Sequence, residues 1–303
     1  MDTTAPLHEA PADASPRSFV QRSTLRGLAA LFRDFGIMAL AIAAAILADS
    51  VWVSILAVLV VGTFQFAVGE ALLHEASHHN LVADRKWNDR LQVLYAWPFF
   101  WSLDRYRKEH LLHHRRLGKP DDHLTVDYTH AGLFDPSASI PWIWWGRPLL
   151  GLTTVDRFME AFGTLQRGLD APVARFWGVL LIAAGLLGWL DELLLYWWLP
   201  YFSVSGIWLY WSELTDHVAT DTGTRSNLGR LTNWLFHNNG LHRTHHRWPS
   251  IPWHQLPAAR SVLLAEDADT DVVYTIFEAE RLVRRRYARG HITDPLAPYA
   301  EPA

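Results

Sequence analysis

The chain has 303 residues, 50% of them hydrophobic, with 16 Trp, 16 His, no Cys and a formal net charge of −4. The acidic balance gives no case for nucleic acid as a partner, and the lack of Cys excludes disulfides, thiolate metal sites and cysteine-ligated iron–sulfur clusters within this chain. A mean hydropathy of +0.01 beside so much apolar sequence means that strongly apolar runs are balanced by polar ones.

Residues 1–27 are polar, carry Pro6, Pro11 and Pro16 and lack an apolar signal core, so they read as a tail and not a signal peptide. From Phe35 to Val68 the sequence is almost wholly apolar. One helix over that run would be ~51 Å long, against a hydrocarbon core of ~30 Å, so it must turn. The turn is expected at Asp49-Ser50, giving spans near 35–48 and 51–70. The first is short and can borrow Leu28–Phe32, with Arg33 reaching to the interface. The central segment, 71–172, is mixed. Leu91–Leu103 and Ile140–Leu152 are aromatic and too short to span, which predicts half-buried interfacial helices. Lys119-Pro120-Asp121-Asp122 and Asp135-Pro136 break the chain into loops. A second apolar run, Val173–Trp211, contains Asp191 and Glu192 in its middle, predicting spans near 173–190 and 193–211. Trp189, Trp197 and Trp198 crowd that turn and Trp208 and Trp211 the far end, as interfacial belts would. Asp271–Arg289 reads as an amphipathic closing helix stopped by Gly290.

Neither turn carries Lys or Arg, whereas the tail, the central segment and the Arg284–Arg286 run do. The positive-inside rule then places both termini and the central segment in the cytoplasm. The expected fold is all-α: an integral membrane protein with four transmembrane helices in two hairpins and a cytoplasmic helical cap. Its parts are a tail (1–27), a membrane domain with its cap (28–260) and a C-terminal helix and tail (261–303). The expected setting is a bacterial inner membrane.

Three histidine clusters punctuate this plan: His74-Glu75-Ala76-Ser77-His78-His79, His110-Leu111-Leu112-His113-His114 and His242-Arg243-Thr244-His245-His246. In a helix, residues at i, i+3 and i+4 share a face, and neutral imidazole is the commonest metal ligand. An isolated His is more often a surface or hydrogen-bonded core residue. Three clusters at matched spacing, all on one side of the membrane, outweigh that reading, because grouped imidazoles there would be costly without a metal. His74 and His78 are i, i+4, while His79 points about 140° away from His74 on the helix and is a further candidate. Glu213 and His217 form another i, i+4 pair just past the last span, with His217 expected as a ligand and Glu213 as a ligand directly or through water. Glu75, Asp216, His237 and Asn238 are expected behind the ligands, orienting imidazoles. Glu109, Asp121 and Asp122 read as solvated or supporting groups, and His8, His130 and His291 as background. Eight or nine imidazoles exceed one coordination sphere, so two metals follow. Zinc takes four ligands and has no redox chemistry, whereas a nitrogen-rich pair with open positions suits iron and O2. Few charges lie within the spans, which argues against a metal carrier or sensor.

The pattern H-x-x-x-H-H, then H-x-x-H-H, then H-x-x-H-H after the second hairpin resembles the histidine boxes of the integral-membrane fatty acid desaturase superfamily, which includes hydroxylases and carotenoid ketolases. The likeness covers roughly 60–260, including His237-Asn-Asn-Gly-Leu-His242 and Ile251-Pro-Trp253. It implies a di-iron centre that activates O2 with two electrons from a donor and removes hydrogen from an unactivated C–H bond. It also implies that His74, His78, His110, His113, His114, His217, His242, His245 and His246 hold the two irons. Glu213 departs from the pattern, some members having an amide there. The expected reaction is desaturation of a fatty acyl chain carried by a lipid, CoA or acyl carrier, with hydroxylation or ketolation of an acyl chain or carotenoid as the alternative. The donor is expected to be a separate protein such as ferredoxin, and Tyr95–Trp101 is expected to line or cover a tunnel for the chain.

Overall fold

The computed structural model describes residues 15–135, 137–166, 168, 170–264 and 271–289. Most of the polar tail, His8, His291 and the helix stop at Gly290 lie outside the described residues. The first apolar run forms a helical hairpin. Its first helix, Thr24–Ala48, starts where the Ser23 side chain accepts the Arg26 amide, a side-chain cap on one of the four free N–H groups. It ends at Asp49, which adopts a left-handed conformation with φ 43°, so the turn falls where the charge predicted it. Thr24–Ala48 includes the stretch that the first span was expected to borrow. The return helix, Val51–Ser77, passes through a π-helical segment, Ala67–Leu72.

These two helices are long and apolar enough to cross a membrane, and a third span arises if Leu152–Gln166 and Ala171–Leu187, bent by 105°, count as one. Four were expected. The shortfall comes from the second hairpin. Ala171–Leu187 is capped by left-handed Gly188 (φ 75°), so the turn precedes Asp191 and Glu192, which enter the first turn of the next helix where the helix dipole favours acids. From Leu190 to His217 the backbone is helical throughout, through π-helical stretches at Leu194–Trp198 and Tyr201–Ser205. Its Trp, Tyr, Ser and Pro200 content dilutes its apolarity. Both hairpins still present bare apolar surface: Leu47 is 85% exposed and Leu186 83%.

The hairpins pack closely at Gly62, where an added Cβ would lie 2.4 Å from Cβ of Val204, a small-residue contact of the kind that joins membrane helices. Ser54 Oγ and Tyr196 Oη are 2.8 Å apart, and Arg157 donates to buried Glu70 at 2.6 Å. The segment expected as one interfacial helix at Leu91–Leu103 is two short turns: Gln92–Tyr95, which leaves Val93 and Leu94 exposed, and Trp97–Phe99, which buries Pro98 and Phe99 in the core. Phe100, at φ 62°, ends them. Its ring stacks on Trp177 at 4.8 Å and on Tyr201 at 5.5 Å. Apolar sequence of this length finds more buried contact against the second hairpin than at an interface. The same packing buries Tyr95, Ala96, Phe99 and Phe100, within the stretch expected to line or cover a tunnel. Ile140–Leu152 matches its expectation better: Ile140, Ile143 and Trp144 are buried while Leu149 and Leu150 are exposed.

The last described helix, Ile276–Arg289, buries Ala279 and Val283 in the cluster that holds Leu214 and Val218. It is anchored by Arg286, which reaches Asp271 at 2.9 Å and Asp221 at 2.7 Å. Arg225, fully buried, donates to Asp271 at 2.7 Å and to the carbonyls of Thr215, Val218 and Ala219. Beside it, Ser226–Asn227 pairs in parallel with Val272–Val273, a two-residue ladder in an otherwise helical fold.

Candidate metal centre

Each box sits at a helix end that local sequence fixes. His74 lies on the last turns of Val51–Ser77, directly after the π-helical segment, and His78 closes that helix at φ −89°, ψ 6°. A π turn holds one extra residue and rotates everything after it, a device common at functional sites. Gly69 lets it form against Phe99, whose ring would lie 2.4 Å from an added Cβ. His110, His113 and His114 ride on Leu103–Arg116, capped by Ser102 Oγ accepting the Arg105 amide. His217 ends Gly206–His217, and His242, His245 and His246 fill the six-residue helix His242–Arg247.

The nine imidazoles converge as two groups. In one, His74, His78, His110, His114 and His245 bring one ring nitrogen each to within 4.8 Å of one another; in the other, His113, His217, His242 and His246 do the same. The groups adjoin: His114 of the first stacks on His246 of the second with ring centroids 4.1 Å apart. In the first group the Nε2 atoms form a chain of contacts, His78–His110 at 2.9 Å, His110–His114 at 2.9 Å, His114–His245 at 3.1 Å and His245–His74 at 2.6 Å. A neutral imidazole Nε2 either donates once or accepts once, so these four contacts cannot all be hydrogen bonds. Nitrogens bound to one ion at about 2.1 Å would stand roughly 3–4 Å apart; three of the contacts lie close to the lower end of that range and the His245–His74 contact is shorter. In the second group His242 and His217 face each other through Nε2 at 2.9 Å, and the buried Nε2 of His246 has no partner. The donor sets fit metal ions.

The electrostatics agree. Burial, and then the neighbouring imidazoles, push His110, His242, His245 and His246 well below the ordinary His value. Burial followed by the Arg107 charge takes His78 down to about 3. These rings are neutral at pH 7, the form a metal requires.

Behind the ligands stand groups that fix ring orientation. His113 Nδ1 lies 3.1 Å from Oδ1 of Asp122, and His217 Nδ1 3.0 Å from the Gly223 carbonyl. Both contacts leave Nε2 for the centre. Asp122 is fully buried and also accepts the Leu124 and Gly118 amides. Burial would raise its pKa, but the His113 contact and the Gly118 amide hold it below the usual carboxylate value. His113, Asp122 and His123 form a further close group. Since Asp122 meets the far nitrogen of His113, this group is the support of the second cluster. Tyr106 stacks on His110 at 5.6 Å, one helical turn earlier.

Two expected ligands are not brought into either group. His79, at φ 57°, turns its ring to Arg107 at 3.5 Å and Asp89 at 3.9 Å, on the side that its helical offset gives. Glu213 belongs to neither group, and its backbone carbonyl accepts the Tyr128 hydroxyl at 2.7 Å. The supporting residues divide likewise. Asp216 does lie behind a ligand, with Oδ2 3.8 Å from His242 Nδ1. Glu75 accepts the Trp253 amide at 3.0 Å, and Asn238 donates to the Trp253 carbonyl at 3.0 Å; both hold the loop after the third box. His237 meets Asp34 at 2.7 Å and Arg33 at 3.1 Å, tying that box to the first helix. Asp122 takes the supporting role that was one of its two expected readings, and Asp34 is a group whose role sequence reasoning missed. Asp34 carries a usable signal, being an acid at the edge of the first expected span, where a charge is costly unless paired.

The fatty acid desaturase family profile matches residues 50–278. The chain is similar to a dihydrorhizobitoxine desaturase from Bradyrhizobium elkanii, 27% identical over 82% of this chain and 78% of that protein. It is similar to a beta-carotene ketolase from Paracoccus sp., 27% identical over 62% of this chain and 72% of the relative. It also resembles a bovine (Bos taurus) sphingolipid delta(4)-desaturase/C4-monooxygenase, 33% identical over 52% and 48% of the two chains.

Proposed function

The chain belongs to the fatty acid desaturase family, and on that premise we propose that it is a membrane-bound di-iron oxidoreductase that desaturates a fatty acyl chain with O2. The observation that carries this reading is the pair of adjoining imidazole groups, one of five nitrogens and one of four. Five donors exceed the four that zinc takes, and a second group beside the first suits paired iron. When bound, the irons supply O2 activation and hydrogen abstraction from an unactivated carbon. The chain's own part is to keep rings such as His78, His110, His242, His245 and His246 neutral by burial, to orient His113 and His217 through Asp122 and the Gly223 carbonyl, and to wall the site from water. Phe66, Val68, Leu72 and Leu73, all 2% exposed or less, belong to the apolar core packed along the helix segment that leads into His74. Four spans in two hairpins, with both termini and the metal centre on the cytoplasmic side of an inner membrane, give the arrangement that the Lys/Arg asymmetry supports. Electrons come from a separate donor such as ferredoxin.

Hydroxylation or ketolation is the second reading, favoured by one observation: relatives at similar identity include ketolases and an enzyme named for both desaturation and monooxygenation. Membranes from a host expressing this chain, supplied with ferredoxin, its reductase, NADPH and a labelled acyl substrate, separate the two. The desaturase reading predicts a product lighter by two hydrogens. A product carrying oxygen from labelled O2 makes the second reading correct.

A further inference from the structure

An open cavity of about 700 Å³ lies between the start of the first membrane helix and the segment leading into the third histidine box. Four arginines, Arg26, Arg33, Arg230 and Arg260, line it, together with Trp234 and His237; among the described residues no Asp or Glu does. Arg33 is fixed in the wall. Its guanidinium donates to the Trp234 carbonyl at 2.8 Å, the Leu235 carbonyl at 3.0 Å and Asp34 at 2.7 Å, and lies 5.2 Å from the centre of the Trp234 ring. Arg26 and Arg33 come from the membrane helix, Arg230 and Arg260 from the cap. The planar guanidinium fork matches the oxygens of a phosphate, and Arg26 and Arg230 bring theirs to the cavity beside the fixed Arg33.

The surroundings say what carries the phosphate. On the first helix the cavity takes the face of Arg26, Ala30 and Arg33. The adjoining stripe, Leu25, Leu28 and Phe32, is bare, at 78%, 44% and 83% exposure. At the mouth Leu231 is 68% exposed and Trp234 57%. A cationic well rimmed by apolar side chains at the end of a membrane helix is complementary to an amphiphile, with the phosphate in the well and its chains along the stripe. A soluble phosphate would leave that rim unused.

We propose that this cavity binds the phosphate headgroup of an anionic phospholipid from the surrounding leaflet. Bridging arginines from the membrane helix and the cap, the headgroup fastens the third box to the membrane domain. The proposal rests on Thr24–Ala48 lying in a membrane and is independent of which reaction the metal centre performs.

Native mass spectrometry of the full chain in detergent, offered equal amounts of phosphatidylglycerol and phosphatidylcholine, tests it. The wild-type chain should retain phosphatidylglycerol preferentially. Arg26→Gln/Arg230→Gln should weaken that retention by about 30-fold, roughly fivefold per arginine. Arg284→Gln/Arg285→Gln, which removes equal charge outside the cavity, should leave it unchanged. Melting and metal content of each variant show whether it is folded; if the double variant is not, Arg230→Gln alone should weaken retention about fivefold. Equal retention of both lipids by the wild-type chain, or a folded cavity variant that retains phosphatidylglycerol like the parent, overturns the site. If inorganic phosphate stabilises the wild-type chain but not the cavity variant, and no lipid preference is seen, the cavity takes a soluble phosphate and the lipid assignment is wrong.

Discussion

Asp122→Asn removes one charge and almost no volume, behind one ligand of one metal group. Asp122 is fully buried, its Oδ1 is 3.1 Å from His113 Nδ1, and its other oxygen takes the Gly118 amide at 3.0 Å. An amide can present only one oxygen, so either His113 or Gly118 loses its acceptor. Loss of a carboxylate behind a metal-bound imidazole costs about 10–100-fold in metal affinity, roughly 1.4–2.7 kcal/mol. The one amide contact that is lost costs the fold a further ~1 kcal/mol. Because the folded pKa of Asp122 is held low, its contribution is present above the ordinary carboxylate value and is lost as pH falls through the folded value; at neutral pH the full effect applies. The assay is anaerobic titration of the iron-free chain with Fe(II) against a competing chelator. The group of His113, His217, His242 and His246 should fill 10–100-fold more weakly, and the five-imidazole group as in the parent. Two unchanged affinities, or an equal loss in both, would refute the assignment of Asp122 to one group.

Three other outcomes follow from the same structure. His78→Ala should lose metal from the five-imidazole group, whereas His79→Ala and Glu213→Ala should keep two metals per chain, by elemental analysis. Arg157→Met leaves the buried Glu70 carboxylate without its 2.6 Å partner and should cost about 3–5 kcal/mol in denaturant unfolding; Glu70→Leu/Arg157→Met should recover most of it. The iron-free chain should become less stable as pH falls. Rings such as His78, neutral in the fold down to about 3, take up protons in the unfolded chain from about 6.5 downward. Each such ring therefore removes about 1.4 kcal/mol per pH unit between those values. Stability that is flat from pH 7 to pH 5 would contradict the neutral, buried rings.

Helical spacing made the nine converging imidazoles legible, but not their division. His74 with His78, His110 with His114 and His242 with His246 are i, i+4 pairs, about 40° apart on a helix, and each pair stays within one group. The i+3 members cross over: His113 leaves its neighbours for the second group and His245 leaves its own for the first. That exchange depends on how two helices far apart in sequence face each other, which no single spacing encodes. The π-helical segment before His74 is equally silent, since Ala67–Leu72 looks like any apolar helix. Asp49 marked the first turn correctly because a charge in an apolar run must leave it. Asp191 and Glu192 marked the second turn only nearby, because Gly188 supplies the left-handed cap. Leu91–Leu103 divides: Val93 and Leu94 stay exposed, as a half-buried segment would, whereas Phe100 packs against Trp177 and Tyr201.

Iron content measures the central claim most directly. The full chain, loaded anaerobically with Fe(II) and freed of excess, should hold two irons by elemental analysis. His113→Ala and His78→Ala should each weaken a different one. A chain that takes up a single zinc in preference to iron, or two irons that both survive His78→Ala unchanged, would contradict the paired centre on which the proposed reaction depends.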